Sequence, residues 1–286
     1  MDDFAPGRQF DEVRVRGWRL WICRGMRRHG PPAGTDAAGI VDGVRGPFEV
    51  IAASDYAKVV CGRLVFGGRT EQFVVKEYLH RSWLDPIKHL FVPSRARRAC
   101  LGSALLLEHG TGCPEPLVVG ELRLGPVLLR SFFITRLVPD VRDIFSLLTE
   151  EWIDPRRRRD RARLRLISAL GTTIGRLHAA GICHGDLRPR NILATQSGGD
   201  WTFNLLDNER TKRYGRLPER LRLKNLVQVN MIPTGLSRTD RLRFFMAYLN
   251  ENRGLWNERK RWASRVMTGS VRRMDDKGRR RATGRT

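Results

Sequence analysis

The stretch "CHGDLRPRNILATQSGGDWTFNLLDNERTKR", residues 183 to 213, constrains this chain more than any other. It sets His184, Asp186, Asn191 and Asp207 among apolar runs of the kind that become buried. Burying an acid is costly unless the group is hydrogen-bonded, paired or bound to a metal. A fold that keeps these acids must therefore give them something to hold. "NILAT", the turn "QSGGD" and "TFNLLD" read as a β-hairpin, which puts Asp207 at the end of a strand and the other three residues on the loop before it. One occupant that suits such a set is a metal–nucleotide complex, and the rest of the sequence tests that reading.

The loop is fed by a helix. Asp154-Pro155 reads as an N-cap followed by an N1 proline, and Leu164, Ile167, Leu170, Ile174 and Leu177 recur every three or four residues, which predicts an amphipathic helix to about Gly181. Upstream, "PFEVIAA", "AKVVCGRLVF" and, after the turn signal Gly67-Gly68, "TEQFVVKEYL" suit an antiparallel sheet. "SRARRACLGSALLLEHG" follows as a helix, with Ser94 as N-cap and Gly110 as stop. The strand-like runs "PLVVGEL" and "GPVLLRSFFITRLV" close this half, Pro139-Asp140 marks a hinge, and "SRTDRLRFFMAYLNEN" is a late helix capped by Ser237.

The expected division is a sheet-and-helix lobe over 47–138 and a mainly helical lobe over 139–270. Residues 1–46 read as an N-terminal extension, with a short strand in "RGWRLWICRGM" and a loop over "RRHGPPAGTDAAGIVDGVRG". The arginine-rich residues 271–286 read as a disordered tail. No internal repeat is evident.

A small antiparallel sheet with one helix, a hinge, and then a helical lobe carrying acids on a loop and hairpin is the order of a two-lobed, α+β, protein-kinase-like phosphotransferase. His184, Asp186 and Asn191 reproduce H-x-D-x-x-x-x-N, in which the aspartate accepts the proton of an attacking hydroxyl and the asparagine holds a metal. Asp207, which ends the run "FNLL", stands where such folds keep the acid for Mg²⁺ bridging the β- and γ-phosphates. Lys76 follows "FVV" on a strand, the place of the lysine that reaches the α/β-phosphates of ATP. His184 reads as a buried brace for the loop, and His178 as a packed helix residue. Arg188 and Arg190 suit either an anionic acceptor or plain solvation.

Departures from the protein-kinase pattern are as informative. No G-x-G-x-x-G lies between the first strands; "AASDYAKVV" stands there, so Ser54 and nearby backbone N–H groups are the candidates to cover the phosphates. Asp207-Asn208-Glu209 replaces D-F-G and no A-P-E follows, which argues against a peptide-docking activation segment. The one candidate glutamate to pair with Lys76 is Glu108, near the end of the first helix.

Over residues 45 to 250 the sequence resembles the lipopolysaccharide kinases of the Kdo/heptose type. The resemblance is carried by "FVVKEY", "IGRLHAAGICHGDLRPRNIL", "LLDNERTKR" and "LKNLVQVNM", followed by "SRTDRLRFFMAYL". It implies ATP- and Mg²⁺-dependent phosphorylation of a sugar hydroxyl, on Kdo or heptose, of the lipopolysaccharide inner core. It also implies catalysis by Asp186, metal ligation by Asn191 and Asp207, and nucleotide contact by Lys76. The acceptor would be lipopolysaccharide core or a lipid A precursor, met at the cytoplasmic face of a bacterial inner membrane.

Charge fits such a partner. Lys and Arg number 53 against 30 Asp and Glu, a formal net charge of +23, which attracts polyanions. Arg156 to Arg159 and the tail arginines are candidates for an anionic inner-membrane surface, worth roughly 1 kcal/mol per basic residue near it. No specific nucleic acid is expected, since no DNA- or RNA-binding motif accompanies the charge. Trp83, Phe91, Trp256 and Trp262 are candidates for lipid contact or for ordinary packing. Five scattered cysteines without C-x-x-C spacing argue against a disulfide framework or zinc site and suit a reduced, cytoplasmic setting. The opening "MDDFAPGRQF" lacks the pattern of a signal peptide, and Arg130 and Arg136 interrupt the apolar segment 126 to 138, so no membrane span is expected. Two rival readings remain open at this level: a soluble small-molecule kinase of the aminoglycoside or choline type, and a catalytically inactive kinase-like scaffold. The sequence does not set the oligomeric state.

Overall fold

A computed structural model describes residues 10–24, 49–54, 56–66, 69–80 and 89–282. They form two units: one takes the residues up to Leu105 together with Pro114–Pro139, the other takes Leu106–Cys113 and the residues from Asp140 onward.

The first unit is built on alternation. Its strands are β1 Phe10–Val15, β2 Trp18–Cys23, β3 Glu49–Ser54, β4 Ala57–Phe66, β5 Arg69–Tyr78, β6 Pro116–Leu124 and β7 Val127–Arg136, with helix α1 Arg95–Glu108, all but its last three residues in this unit, between β5 and β6. They make one seven-stranded sheet in the order β1-β2-β6-β7-β5-β4-β3, with every neighbour antiparallel. Successive side chains point to opposite faces. Trp18, Leu20 and Ile22 therefore join Phe73, Val75, Phe132 and Ile134 in one cluster. Trp21, Tyr78, Val119 and Phe133 form another on the opposite face, against Ala96, Ala99 and Cys100 of α1. Ser94 starts this helix, its Oγ accepting from Arg97 N at 3.1 Å.

Residues 1–46 read as an N-terminal extension with a short strand in "RGWRLWICRGM", and in the described part that strand, β2, is a member of the sheet. β2 pairs with β6 from Trp18↔Leu122 to Ile22↔Val118. The reason is hydrophobic: Trp18, Leu20 and Ile22 would each lose about 1.5–3 kcal/mol if left in water, and β6 would otherwise show an open edge. The loop expected at 27–46 and the turn at Gly67-Gly68 lie outside the described residues.

The second unit is mainly helical: α2 Arg161–Ala179, α3 Glu219–Val229, α4 Arg238–Glu251 and α5 Arg259–Ala282, with short strands β8 Arg142–Asp143, β9 Ile182–Cys183, β10 Ile192–Ser197, β11 Asp200–Leu205 and β12 Lys212–Arg213. The long helix starts later than the sequence suggested. Asp154 caps only a 3₁₀ turn over Pro155–Arg159; Asp160 then caps α2, its Oδ1 accepting from Ala162 N at 2.8 Å. The arginine run thus sits on a separate turn, with Arg156, Arg157 and Arg159 exposed.

α2 and α4 meet closely because α2 carries Gly171 and Gly175 there. A Cβ at Gly171 would stand 2.3 Å from Phe244 O, and one at Gly175 would stand 2.8 Å from Glu251 Cβ. Across the same pair of helices Arg163, fully buried, donates to both oxygens of Asp240 at 3.0 and 2.8 Å and to Gly235 O at 2.7 Å. Asp240 also completes a capping box with Ser237 at the start of α4.

Where a disordered tail was expected from 271, α5 continues as helix to Ala282. Arginine is a good helix former, and α5 is seated on α3: Asn230 Nδ2 donates to Ser270 Oγ at 2.9 Å, with Ser270 buried. Among the described residues no helix is long and apolar enough to cross a membrane.

Candidate active site

Strand pairing brings the site together. β9 and β10 flank loop 184–191, while their partners β12 and β11 flank the turn that carries Asp207. The two segments are stitched where Leu206 N donates to Asn191 O at 2.8 Å. Within the loop Gly185 has φ +80°, and a Cβ there would stand 2.6 Å from Arg210 Cβ and 2.7 Å from Arg210 O. Only glycine fits.

Asp186 is a carboxylate surrounded by donors. Its Oδ1 accepts from Gln228 Nε2 at 3.0 Å and from Arg188 Nε at 2.8 Å; Oδ2 accepts from Asn191 Nδ2 at 3.3 Å. Its side chain keeps 24% of its surface exposed, so a substrate hydroxyl can reach it. Asn191 Nδ2 donates as well to Asp186 O at 3.0 Å. With its NH₂ used in this way, the amide oxygen of Asn191 is the end left for a cation.

Asp207 is exposed and takes a left-handed backbone, φ +60° and ψ +46°. Aspartate tolerates that region better than most residues, and such conformations cluster at functional sites. The next residue, Asn208, is buried; its Nδ2 donates to Leu205 O at 3.1 Å, which leaves Oδ1 to accept from His184 Nε2 at 2.9 Å. Here, where D-F-G folds have an apolar ring, a polar side chain braces the loop histidine.

Asn191 and Asp207 suit a magnesium ion in kind. They offer a neutral and a charged oxygen, and Mg²⁺ is usually bound by one or two carboxylates, its remaining positions going to water and phosphate oxygens. No group of three or more His, Cys, Asp or Glu gathers as a metal cluster among the described residues.

The remaining predicted residues are placed separately. Lys76 lies on β5 opposite Val59 and Phe133, on the sheet face that carries Tyr78, with its Nζ 5.4 Å from the Tyr78 ring centroid. Ser54 ends β3 and is paired with Ala57 across a tight hairpin; its side chain lies outside the described part. Glu108 is exposed on the last residue of α1, away from Ala96, Ala99 and Cys100, through which that helix packs on the sheet. Arg190 is exposed, its guanidinium 4.1 Å from the Phe145 ring centroid.

Sequence reasoning missed the residues of α3 that hold the loop. Lys224 Nζ donates to Gly185 O at 2.8 Å, Asn225 Oδ1 accepts from His184 N at 3.2 Å, and Gln228 Oε1 accepts from Leu187 N at 3.2 Å. The signal lay in "LKNLVQVNM": Asn225 and Gln228, three apart among Leu226, Val227 and Val229, are polar residues in a stretch that is otherwise buried and apolar.

Two buried histidines make stability depend on pH. Burial, aided by the nearby Arg222 charge, pushes His178 down to about 3 from an ordinary 6.5, and burial likewise pushes His184 down. Below pH 6.5 the unfolded chain takes up protons that the folded chain does not, so stability falls on acidification, by up to roughly 1.4 kcal/mol per pH unit for each histidine. For His178 the loss runs from pH 6.5 toward about 3. Urea unfolding at pH 7.5 and 5.5 measures it, and His178→Gln should flatten the slope. An equal slope in the variant would refute this account.

An antiparallel sheet with one helix, and a helical unit whose H-x-D-x-x-x-x-N loop is held beside an aspartate turn, define the protein-kinase-like class of phosphotransferase fold. Comparison with known proteins narrows the class. The model of the lipopolysaccharide kinase (Kdo/WaaP) family matches residues 89–248, more than half of the sequence, and the chain belongs to that family. A 3-deoxy-D-manno-octulosonic acid kinase from Photobacterium damsela subsp. piscicida is 25% identical over 146 residues, 48% of this chain. The chain spans about half the length, 50%, of that relative. A solved structure described as WaaP in complex with acyl carrier protein shares the fold, with TM-score 0.57 and 21% identity over 87% of this chain and 99% of that one.

Proposed function

We propose that this protein transfers the γ-phosphoryl group of ATP to a sugar hydroxyl, on Kdo or heptose, of the lipopolysaccharide inner core. The observation that carries the reading is Asp186: a partly exposed carboxylate on the H-x-D-x-x-x-x-N loop, aimed by Gln228 and Asn191. In the proposed reaction Asp186 orients the acceptor hydroxyl and takes its proton, and Lys76 binds the nucleotide phosphates. Asn191 and Asp207 would hold Mg²⁺, which when bound neutralises charge on the β- and γ-phosphates. Arg188, paired to Asp186 by an exposed side chain, is free to turn toward an anionic group as substrate enters.

Kdo is the first acceptor to test, because the relative named above is a kinase of that sugar. We assign the excess of basic residues, +23 overall, to a polyanionic, lipid-linked acceptor at the cytoplasmic face of the inner membrane, with the exposed Arg156, Arg157, Arg159 and Arg272 as contacts. Incubation with γ-labelled ATP and either intact or deacylated lipopolysaccharide core fractions tests the assignment. Label is expected on core sugar; label on protein alone, or nowhere, would overturn it.

The metal assignment has its own test. Asp207→Ala should weaken Mg²⁺-dependent nucleotide binding by at least about 10-fold, read as loss of the Mg²⁺-dependent part of the thermal shift with ATP. An unchanged Mg²⁺-dependent shift would remove Asp207 from the metal site.

A further inference from the structure

We infer that a directed chain of hydrogen bonds running Arg222–Tyr248–His178–Asn225–Gln228, buried in its middle, ends on Asp186 and sets the orientation of its carboxylate, with Gln228 as a positioning residue. The inference rests on Asp186 being the base proposed above.

The polarity of the chain is fixed at both ends. Arg222 can only donate, and it donates to Tyr248 Oη. Because Asn225 presents its oxygen to His178 Nε2, the neutral ring keeps its proton there and accepts at Nδ1, so the tyrosine hydroxyl gives its own proton to Nδ1, at 3.1 Å. The ring N–H at Nε2 donates to Asn225 Oδ1 at 3.3 Å. Asn225 Nδ2 donates to Gln228 Oε1 at 3.1 Å, and Gln228 Nε2 donates to Asp186 Oδ1 at 3.0 Å.

Two backbone donors set the same sense independently. His184 N points at Asn225 Oδ1 at 3.2 Å, and Leu187 N points at Gln228 Oε1 at 3.2 Å. A backbone N–H cannot accept, so each amide must present its oxygen there. Reversing either amide would set donor against donor where no water can compensate. Tyr248, His178, Asn225 and Gln228 are each at most 1% exposed. His178, held neutral by burial, supplies the one acceptor and one donor that the chain needs at its middle.

The consequence falls on Asp186. Gln228 is buried and held by three hydrogen bonds, whereas Arg188 on the same oxygen is 57% exposed. Oδ1 is thereby the anchored oxygen. Oδ2, whose contact from Asn191 is the longer one at 3.3 Å, is the oxygen that takes the proton. A base held this way keeps its near-attack geometry without being neutralised, because the anchoring group carries no charge.

Steady-state kinetics on whichever core fraction the wild type labels test the inference. Gln228→Met removes both polar ends at similar length. It should lower kcat by about 10- to 100-fold while the KM for ATP stays within about twofold. Gln228→Glu keeps an acceptor for Leu187 N but sets a like charge against Asp186, so the acid limb of its pH–rate profile should also move to higher pH. A role in folding alone would lower the melting temperature of both variants without moving that limb.

Asp186→Asn, run in parallel, separates the two ideas. If it keeps full activity, the base assignment fails. If it is inactive while folded Gln228→Glu retains wild-type kcat and pH profile, only the positioning inference falls. Should the Gln228 variants not fold, Tyr248→Phe removes the hydroxyl that donates to His178 Nδ1 and should cost a roughly 3- to 10-fold drop in kcat; an unchanged kcat there overturns the inference too.

Discussion

Asp186→Asn is expected to lower phosphotransfer by about 10²- to 10⁴-fold, the range for losing a general base, while nucleotide affinity is retained. The substitution is nearly isosteric, and its local cost follows from the hydrogen bonds. All three side-chain contacts to Asp186 are donors: Gln228 and Arg188 at Oδ1, Asn191 at Oδ2. An amide must turn its NH₂ toward one of them. The side with the single 3.3 Å contact is the cheaper, so the new amide oxygen should keep the Gln228 side and its NH₂ should occupy the position of the reactive oxygen. That group cannot take a proton from a hydroxyl. Turnover on core acceptor and a nucleotide thermal shift, measured on the same preparation, separate chemistry from binding. Wild-type turnover would remove Asp186 as the base.

What the sequence made legible, and what it hid, follows from the range of the interactions. The hairpin after Asn191 was readable because alternation and a Gly-Gly turn are local signals. α1 was readable from Ser94 and Gly110 for the same reason. The start of α2 was misplaced because two acids, Asp154 and Asp160, both cap, and the first serves only a 3₁₀ turn. The sheet role of β2 was missed because its partner β6 lies about a hundred residues on, beyond any local pattern.

Gln228 was hidden in the same way: its partner Asp186 is 42 residues earlier, and a glutamine on a short helix reads as solvated. The acids at 186 and 207 stood out because charge between buried strands is locally anomalous. Amides and arginines that satisfy such charges are unremarkable until the chain brings them together. The helix in place of a disordered tail belongs here as well, since arginine-rich composition reads as disorder while the contacts that seat α5 on α3, among them Ser270 with Asn230 and Arg265 with Glu219, join residues 40 and 46 apart.

The largest stability effect is expected at the pair that local reading had no means to find, Arg163 and Asp240, separated by 77 residues. Arg163 sits in "RRRRDRARLR", where an arginine reads as one more solvated charge, yet it is fully buried and Asp240 is 3% exposed. Burial pushes the Asp240 carboxyl up, but bonds from Arg163 and Ser237 outweigh it and hold the group below its ordinary 3.8. The pair's contribution is therefore present above pH 3.8 and lost as pH falls through the depressed value.

Asp240→Asn keeps the shape and part of the capping box but strands a buried guanidinium, and should cost about 3–5 kcal/mol. Arg163→Met combined with Asp240→Asn leaves no orphan charge, so the double variant should be more stable than Asp240→Asn alone. Removing both members of a buried pair is far cheaper than removing one. Urea unfolding reads this as a lower midpoint at unchanged slope. A cost under about 1 kcal/mol for Asp240→Asn, the scale of a surface ion pair, would mean that water reaches Arg163 and that the α2–α4 contact is looser than its hydrogen bonds imply.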